Sequence, residues 1–229
     1  MDPRVSPSTS HGEFGPAKAA TCPVCREGSA AVFMTLAQRR YWRCPRCLAT
    51  FLDPDQHPCR STEREEYDRH QNRVDDPHYQ AFLKPALEAV RRRVAAGSRV
   101  LDYGCGPGPA LGRMLTDADY AVALYDPLYR ADAGVLQPGY DAITCTEVAK
   151  HFHHPAREFQ RLTALLRPGG WLIVMTRFQT DDARFAGWHY RRDPTHVVFY
   201  RPETFRHLGR RLGWQVCCTP PHLVEIQRI

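Results

Sequence analysis

The chain has 229 residues, 43% apolar and 24% charged, with a formal net charge of +6. That composition is globular and excludes wholesale disorder. The length allows one full domain plus a small one. No apolar stretch approaches the ~20 residues that span a bilayer, so no membrane partner is expected. The N-terminus lacks an apolar signal core. Nine cysteines then point to a reducing, cytoplasmic compartment, with thiols serving metal binding or packing rather than a disulfide scaffold.

Residues 1–20 are rich in Pro, Ser and Gly and read as a disordered arm. Residues 21–57 carry Cys22-Pro-Val-Cys25 and Cys44-Pro-Arg-Cys47. The segment between the pairs, 26–43, has the length of ~15–20 residues that a four-thiolate zinc site uses. The segments 31–36 and 39–43 fit the two strands of a zinc ribbon. Four protein ligands leave no open coordination position, so a Zn2+ held by Cys22, Cys25, Cys44 and Cys47 is structural, and its binding energy folds the segment. Arg26, Arg43 and Arg46 either offset the negative charge of the thiolates or contact nucleic acid. Tyr41 and Trp42 either pack the ribbon or stack on bases.

Residues 58–97 form a helical linker. Tyr79, Phe82, Leu83, Leu87, Val90 and Val94 recur at helical spacing. Pro85 interrupts them and predicts a kink or two short helices. Residues 98–229 form the main domain. Its apolar segments at 99–103, 120–125, 140–146, 170–176, 214–219 and 222–228 read as strands. Helices fall near 109–116, 155–166 and 202–212, so the alternation implies a parallel α/β sheet. Only Pro220 and Pro221 separate the last two strands, so these pair antiparallel.

The sharpest signal is Val100-Leu101-Asp102-Tyr103-Gly104-Cys105-Gly106-Pro107-Gly108-Pro109. A strand enters a loop with glycine at every second position and leaves into a helix, where free N–H groups favour an anion. A dinucleotide site would place a third glycine at position 109, which is Pro. Asp126 ends the second strand, about 20 residues past the glycine loop, where an acid can accept hydrogen bonds from ribose hydroxyls. Together with Tyr140–Thr146 and Leu166-Arg-Pro-Gly-Gly170, this set resembles motif I and the surrounding core of the class I S-adenosylmethionine-dependent methyltransferases.

The resemblance extends to Tyr41–Cys47, Phe51–Pro54, Glu147–His151 and Trp188–His196. These look like a bacterial group within the type 11/12, quinone-methyltransferase-like superfamily that carries a four-cysteine zinc ribbon ahead of the catalytic domain. It implies a Rossmann-like α/β sheet, S-adenosyl-L-methionine as co-substrate, and cofactor binding at Asp102, Gly104, Cys105, Gly106, Gly108, Asp126, Pro127 and Thr146. Thr146 to His151 resembles a strand-four motif that commonly reads Glu-x-x-Glu-His. Position 150 is Lys here, so the role of that second acid does not carry over.

Only the segment 127–140 separates Asp126 from Asp141. A helix, an edge strand and a return do not fit in it, which predicts a shortened or missing third strand. The adenine pocket then needs other walls, and Leu128, Tyr129 and Asp132 are candidates. Ligands of such sheets sit beyond the strand ends, where Glu147, His151, His153, His154, His189 and His196 fall. His196 first, then His151, are the candidates for base or acceptor-orienting residue, with Glu147 beside them. Glu147, His151 and His196 are also a minor candidate for a second metal. Trp188, Tyr190, Phe199 and Tyr200 line an acceptor pocket or pack the sheet flank. Cys105, Cys145, Cys217 and Cys218 read as buried hydrophobes. The leading reading is methyl transfer to a small-molecule acceptor. The alternatives are an RNA methyltransferase whose ribbon contacts nucleic acid, and a partner-binding domain without turnover.

Overall fold

The computed structural model describes residues 20–69 and 73–229. The arm read over 1–20 lies outside them apart from Ala20. In chain order the strands are β1 (Ala20–Thr21), β2 (Ser29–Leu36), β3 (Arg39–Arg43) and β4 (Thr50–Leu52). Helices α1 (Arg60–Asp68) and α2 (Pro77–Arg93) follow. Then come β5 (Arg99–Tyr103), α3 (Ala110–Thr116), β6 (Ala121–Tyr125), β7 (Tyr140–Thr146), α4 (Pro155–Leu165) and β8 (Leu166–Met175). The chain continues through α5 (His189–Arg192), β9 (Val198–Phe199), α6 (Pro202–Leu212), β10 (Trp214–Thr219) and β11 (Leu223–Arg228).

The main sheet has six strands in the order β10-β11-β8-β7-β5-β6. β6, β5, β7 and β8 run parallel, and β11 and β10 are added antiparallel at one edge, as the short Pro220-Pro221 link requires. Between β6 and β7 the only regular element is a single 3-10 turn, Ala133–Val135. The third strand is absent, as the shortness of 127–140 predicted. β8 starts at Leu166, ahead of the apolar run that marks it in the sequence, because Leu166 already pairs with Tyr140 across a bulge.

Alternate residues of the central strands face opposite layers. Val100, Ala142 and Ile173 pack with Leu83, Ala86 and Val90 of α2 and Leu111 and Leu115 of α3. Leu101, Ile143 and Leu172 face the other way, with Phe159 and Leu162 of α4 and Phe205 of α6. The same cluster takes in Val24, Tyr41, Trp42, Phe51 and Leu52. The ribbon is therefore part of one core face and not a bead on a string. Its strands form a second sheet, β1-β2-β3-β4-β9, whose last member comes from the C-terminal side of the chain.

Pro85 corrects one expectation. α2 runs unbroken through it. The apolar face on α3 and the sheet holds the helix together, and Pro85 sits off the fully buried face. The break in 58–97 falls instead ahead of Asp76, whose carboxylate accepts from the His78 and Tyr79 N–H groups. Pro77 occupies the first turn of α2, where a missing N–H costs nothing.

Candidate functional site

The glycine loop is built as its sequence requires. Gly104 (φ 79°) and Gly106 (φ 64°) both lie in the left-handed region. A Cβ on Gly104 would meet Val148 Cγ2 at 2.3 Å, while one on Gly106 would meet nothing within 4 Å. So Gly104 permits close packing of two loops, and Gly106 keeps space open. The Gly104 and Cys105 N–H groups both donate to the Tyr125 carbonyl (2.7 and 3.2 Å).

Asp126 organises the next turn. Its Oδ2 accepts from the Gly106 N–H (3.0 Å), and its Oδ1 accepts from those of Leu128 and Tyr129 (2.8 and 3.1 Å). Asp102 works underneath. It is buried, and its Oδ1 accepts from Thr144 Oγ1 (2.8 Å). Burial pushes its carboxyl up to about 6, against the pull of Thr144 and the Gly112 N–H.

Above the strand ends lies a cavity of about 950 Å³. Gly104, Cys105, Gly106, Asp126, Pro127 and Thr146 line it, as expected of cofactor-binding positions. Asp102 and Gly108 are not among the lining residues: Asp102 is buried and braces β5 against β7 and α3. Leu128 and Tyr129 line the cavity, but Asp132 instead caps the 3-10 turn by accepting from the Gly134 N–H (2.8 Å).

The candidate catalytic residues share this cavity: Glu147, His151 and His196 all line it, as do His153 and His154, whereas His189 does not. Glu147 holds a left-handed backbone (φ 59°), a strain that costs on the order of 1–2 kcal/mol and is held by its N–H donating to the Met175 carbonyl (2.8 Å). Its carboxylate is ion-paired with the buried Lys150 ammonium. The His151 and His196 rings lie edge to face at 4.8 Å. His151 Nδ1 is 3.0 Å from the Thr195 carbonyl. A carbonyl only accepts, so Nδ1 faces it as a donor. His196 is buried, with Nδ1 2.5 Å from the Tyr190 carbonyl and Nε2 3.4 Å from Asp193 Oδ2. Burial alone would raise the Asp193 carboxyl, but His196, Thr195 and Lys150 together hold it below its usual range.

One further expectation is corrected, at Cys217, and two readings left open by the sequence take one side. Among the described residues, Glu147, His151 and His196 do not gather into a metal-ligand set, because Lys150 has taken the carboxylate. Of the four aromatic candidates only Tyr190 lines the cavity. Trp188 stacks on it at 4.9 Å, and Phe199 and Tyr200 are fully buried in the flank. Cys145 is buried and Cys105 and Cys218 partly so, but Cys217 is exposed, since it points outward from the edge strand β10.

The linker supplies walls the sequence did not reveal. Cys59, Arg60, Glu63 and Tyr67 line one side and Tyr79 and Phe82 another. Positions 60, 63 and 67 lie on one face of a helix, which was the available signal. Glu63 Oε1 is 2.9 Å from His153 Nε2, Tyr129 Oη donates to Asp68 Oδ1 (2.5 Å), and Arg60 Nη2 donates to the Pro127 carbonyl (2.9 Å). α1 thus closes the side that a third strand would have closed. Burial raises Tyr67, and it pushes Tyr79 up to about 12, so both phenols stay neutral.

The four cysteines meet as their spacing predicts. Each is fully buried, and the four sulfurs lie within 4.8 Å of one another. The Cys22–Cys47 and Cys25–Cys44 sulfur separations are 3.7 and 3.6 Å. Tetrahedral zinc with ~2.3 Å bonds wants sulfurs roughly 3.8 Å apart, so this set fits the ion. The two knuckles match one another. Arg26 and Leu48 each follow the second cysteine with φ 61°, and each N–H donates to the carbonyl of the first (3.0 Å).

The family model described as "Methyltransferase domain" matches residues 77–219. Ubiquinone biosynthesis O-methyltransferase of Xanthomonas campestris pv. campestris (strain B100) is 36% identical over 121 residues, covering 42% of this chain and 51% of that protein. The enzyme of that name from Bordetella pertussis is 35% identical over 104 residues, 35% and 43% of the two chains. The chain spans about half the length of the curated relatives it matches. In fold it is similar to Burkholderia thailandensis 1,6-didemethyltoxoflavin-N1-methyltransferase, solved with 1,6-didemethyltoxoflavin and S-adenosylhomocysteine bound. The TM-score is 0.55 at 15% identity, covering 84% of this chain and 96% of the other. The chain belongs to the methyltransferase domain family and bears a four-cysteine module ahead of the matched segment.

Proposed function

We propose that this protein transfers a methyl group from S-adenosyl-L-methionine to a small-molecule acceptor, in the cytoplasm, with a structural zinc ion at Cys22, Cys25, Cys44 and Cys47. The carrying observation is one cavity whose lining includes Gly104, Gly106 and Asp126 together with Tyr67, Tyr190 and His151. Its volume suits two molecules side by side, since single-ligand pockets start at roughly 300 Å³.

The co-substrate supplies an electrophilic methyl on a positively charged sulfur. The open Gly106 position leaves its carboxylate-bearing end room beside the loop. A carboxylate offers about four acceptor positions, and backbone N–H groups fill three on Asp126. One remains for a ribose hydroxyl. The acceptor lies toward Tyr67, Tyr79, Phe82 and Tyr190. Its attacking atom bonds to the methyl carbon as the carbon–sulfur bond breaks, and the electron pair of that bond neutralises the sulfur. Its proton passes to a histidine of the cavity lining, His196 or His151. Holding both partners in line is the main contribution, worth ~7–11 kcal/mol of barrier. Proton removal adds on the order of 10²–10⁴ in rate.

Of the arginines that would favour RNA, Arg43 is engaged within the protein, as is Arg40 of the same strand, while Arg26 and Arg46 are exposed. Arg40 pairs with Asp53, and Arg43 with Asp182, Gln179 and Thr50. Tyr41 and Trp42 are buried and offer no stacking face. This supports the small-molecule reading. Calorimetry with S-adenosylhomocysteine tests the cofactor half, with micromolar binding expected. Labelled methyl donor incubated with cell-extract fractions tests the acceptor half. Label in the low-mass fraction supports the reading, and label in RNA overturns it.

A further inference from the structure

We propose that the four-cysteine module is a positioning element for the acceptor half of the cavity and leaves the cofactor half to the six-stranded sheet. The inference rests on the methyl-transfer reading of the cavity and on zinc at the cysteines.

The path is short and made of backbone. The second knuckle ends at Cys47, just before β4. Cys44 N–H donates to the Ala49 carbonyl (3.0 Å), fixing where β4 begins. β4 pairs with β9, Thr50 opposite Phe199 and Phe51 opposite Val198. The Leu52 N–H adds a bond to the Val197 carbonyl (2.8 Å). Just ahead of Val197 stands His196, and before it Thr195, whose carbonyl meets His151 Nδ1. From the same stretch the Val197 N–H donates to the Lys150 carbonyl (2.9 Å), and Tyr200 Oη donates to that of Ala149 (2.9 Å). The short strand β9 thus holds both acceptor-facing loops, 147–151 and 193–197.

The first knuckle adds a second anchor. The Ala156 N–H donates to the Pro23 carbonyl (3.1 Å) just beyond His153 and His154. Among the described residues the glycine loop is hydrogen-bonded mainly within its own segment, although Gly104 also packs against Val148. The hydrogen bonds of Gly104, Cys105, Gly106 and Asp126 run among residues 104–130. A strand as short as β9 cannot hold its place alone, and a ribbon of this size needs its metal to fold. Loss of the metal should therefore free β9 and both acceptor loops while β5, β6 and the glycine loop persist.

The test uses the full chain. Metal is withdrawn with a chelator under reducing conditions, its release followed with a chromophoric dye, and zinc is then restored. Hydrogen exchange is read in peptides covering 147–156, 193–200 and 99–126, alongside calorimetric S-adenosylhomocysteine binding. Expected on metal removal is at least tenfold faster exchange in 147–156 and 193–200, slow exchange in 99–126, and a Kd for S-adenosylhomocysteine within threefold. Zinc should reverse it. Phe51→Ala, which touches neither ligand nor cavity, should give the same pattern in weaker form with metal bound. Unchanged exchange in 193–200 overturns the proposal, as does collapse of all three regions with ligand binding, or a reduced chain that takes up no zinc. Absent S-adenosylhomocysteine binding by zinc-loaded protein overturns the methyl-transfer reading instead, while the exchange data still decide the role of the ribbon.

Discussion

The Lys150 ammonium lies against the Glu147 carboxylate and 4.6 Å from the centroid of the Tyr190 ring. One cation neutralises the acid and faces an aromatic at the floor of the cavity. Lys150→Met strands Glu147, which is only 28% exposed, on a strained backbone. Breaking a fully buried pair from one side costs ~3–5 kcal/mol, so this partly exposed one should lose about 2 kcal/mol in urea unfolding. Adding Glu147→Gln should recover most of it. A double variant as unstable as the single would show that the pair does not couple.

His151→Ala should slow labelled-methyl transfer by roughly 10²-fold or more and leave S-adenosylhomocysteine affinity within twofold. Nitrogen-15 spectra should show a proton on His151 Nδ1, which faces the Thr195 carbonyl. An unprotonated Nδ1 would contradict that contact.

The two loop glycines should respond differently. Gly106→Ala meets no atoms and carries only the left-handed penalty of ~1–2 kcal/mol. It should fold but lose cofactor affinity, because the methyl projects into the open space. Gly104→Ala adds the same penalty plus a collision with Val148, which moves the loop bearing Glu147 and His151. Its melting temperature should fall further than that of Gly106→Ala, and equal falls would contradict the packing argument.

Asp102 gives a pH signature. Its folded carboxyl is raised to about 6, from an ordinary value of 3.8, chiefly by burial. Folding therefore favours the protonated form. Stability from this group is greatest below pH 4 and falls as pH rises toward 6, by about 3 kcal/mol in all. Asp102→Asn removes that dependence. Relative to the parent it should be about 1.5 kcal/mol better off at pH 8 than at pH 5 in urea unfolding. A pH-independent difference would mean that Thr144 and Gly112 fully offset the burial.

Chelation bears on stability as well as on the acceptor loops. Structural zinc sites contribute on the order of 10 kcal/mol to folding of small modules, and Val24, Phe51 and Leu52 share a core with Phe159 and Phe205. Metal removal should lower the melting temperature by ten degrees or more, and an unchanged melting curve would count against zinc at the four cysteines.

Much of the fold and of the site was written locally. Gly104, Gly106 and Asp126 announce themselves because a tight turn needs glycine and a ribose needs an acid at one fixed spacing. Cys22, Cys25, Cys44 and Cys47 do so because paired thiolates at that short spacing make a knuckle in any context. The missing third strand followed from chain length alone, since a segment as short as 127–140 cannot cross a sheet and return. What stayed hidden depended on partners far apart in sequence. Pro85 reads as a break until α3 and the sheet are seen to hold α2 straight. Asp102 gives no sign in the sequence that Thr144 and Gly112 enclose it. Phe51 and Val198 give no sign that they pair, because a backbone hydrogen bond carries no side-chain signature. The sequence by itself determined the sheet, the loop and the four-cysteine cluster, each specified by neighbours in the chain. Only the tertiary structure decided which carbonyls the two histidines face, which carboxylate is ion-paired, and that a linker helix walls the cavity, because those depend on distances between segments that the chain order leaves open.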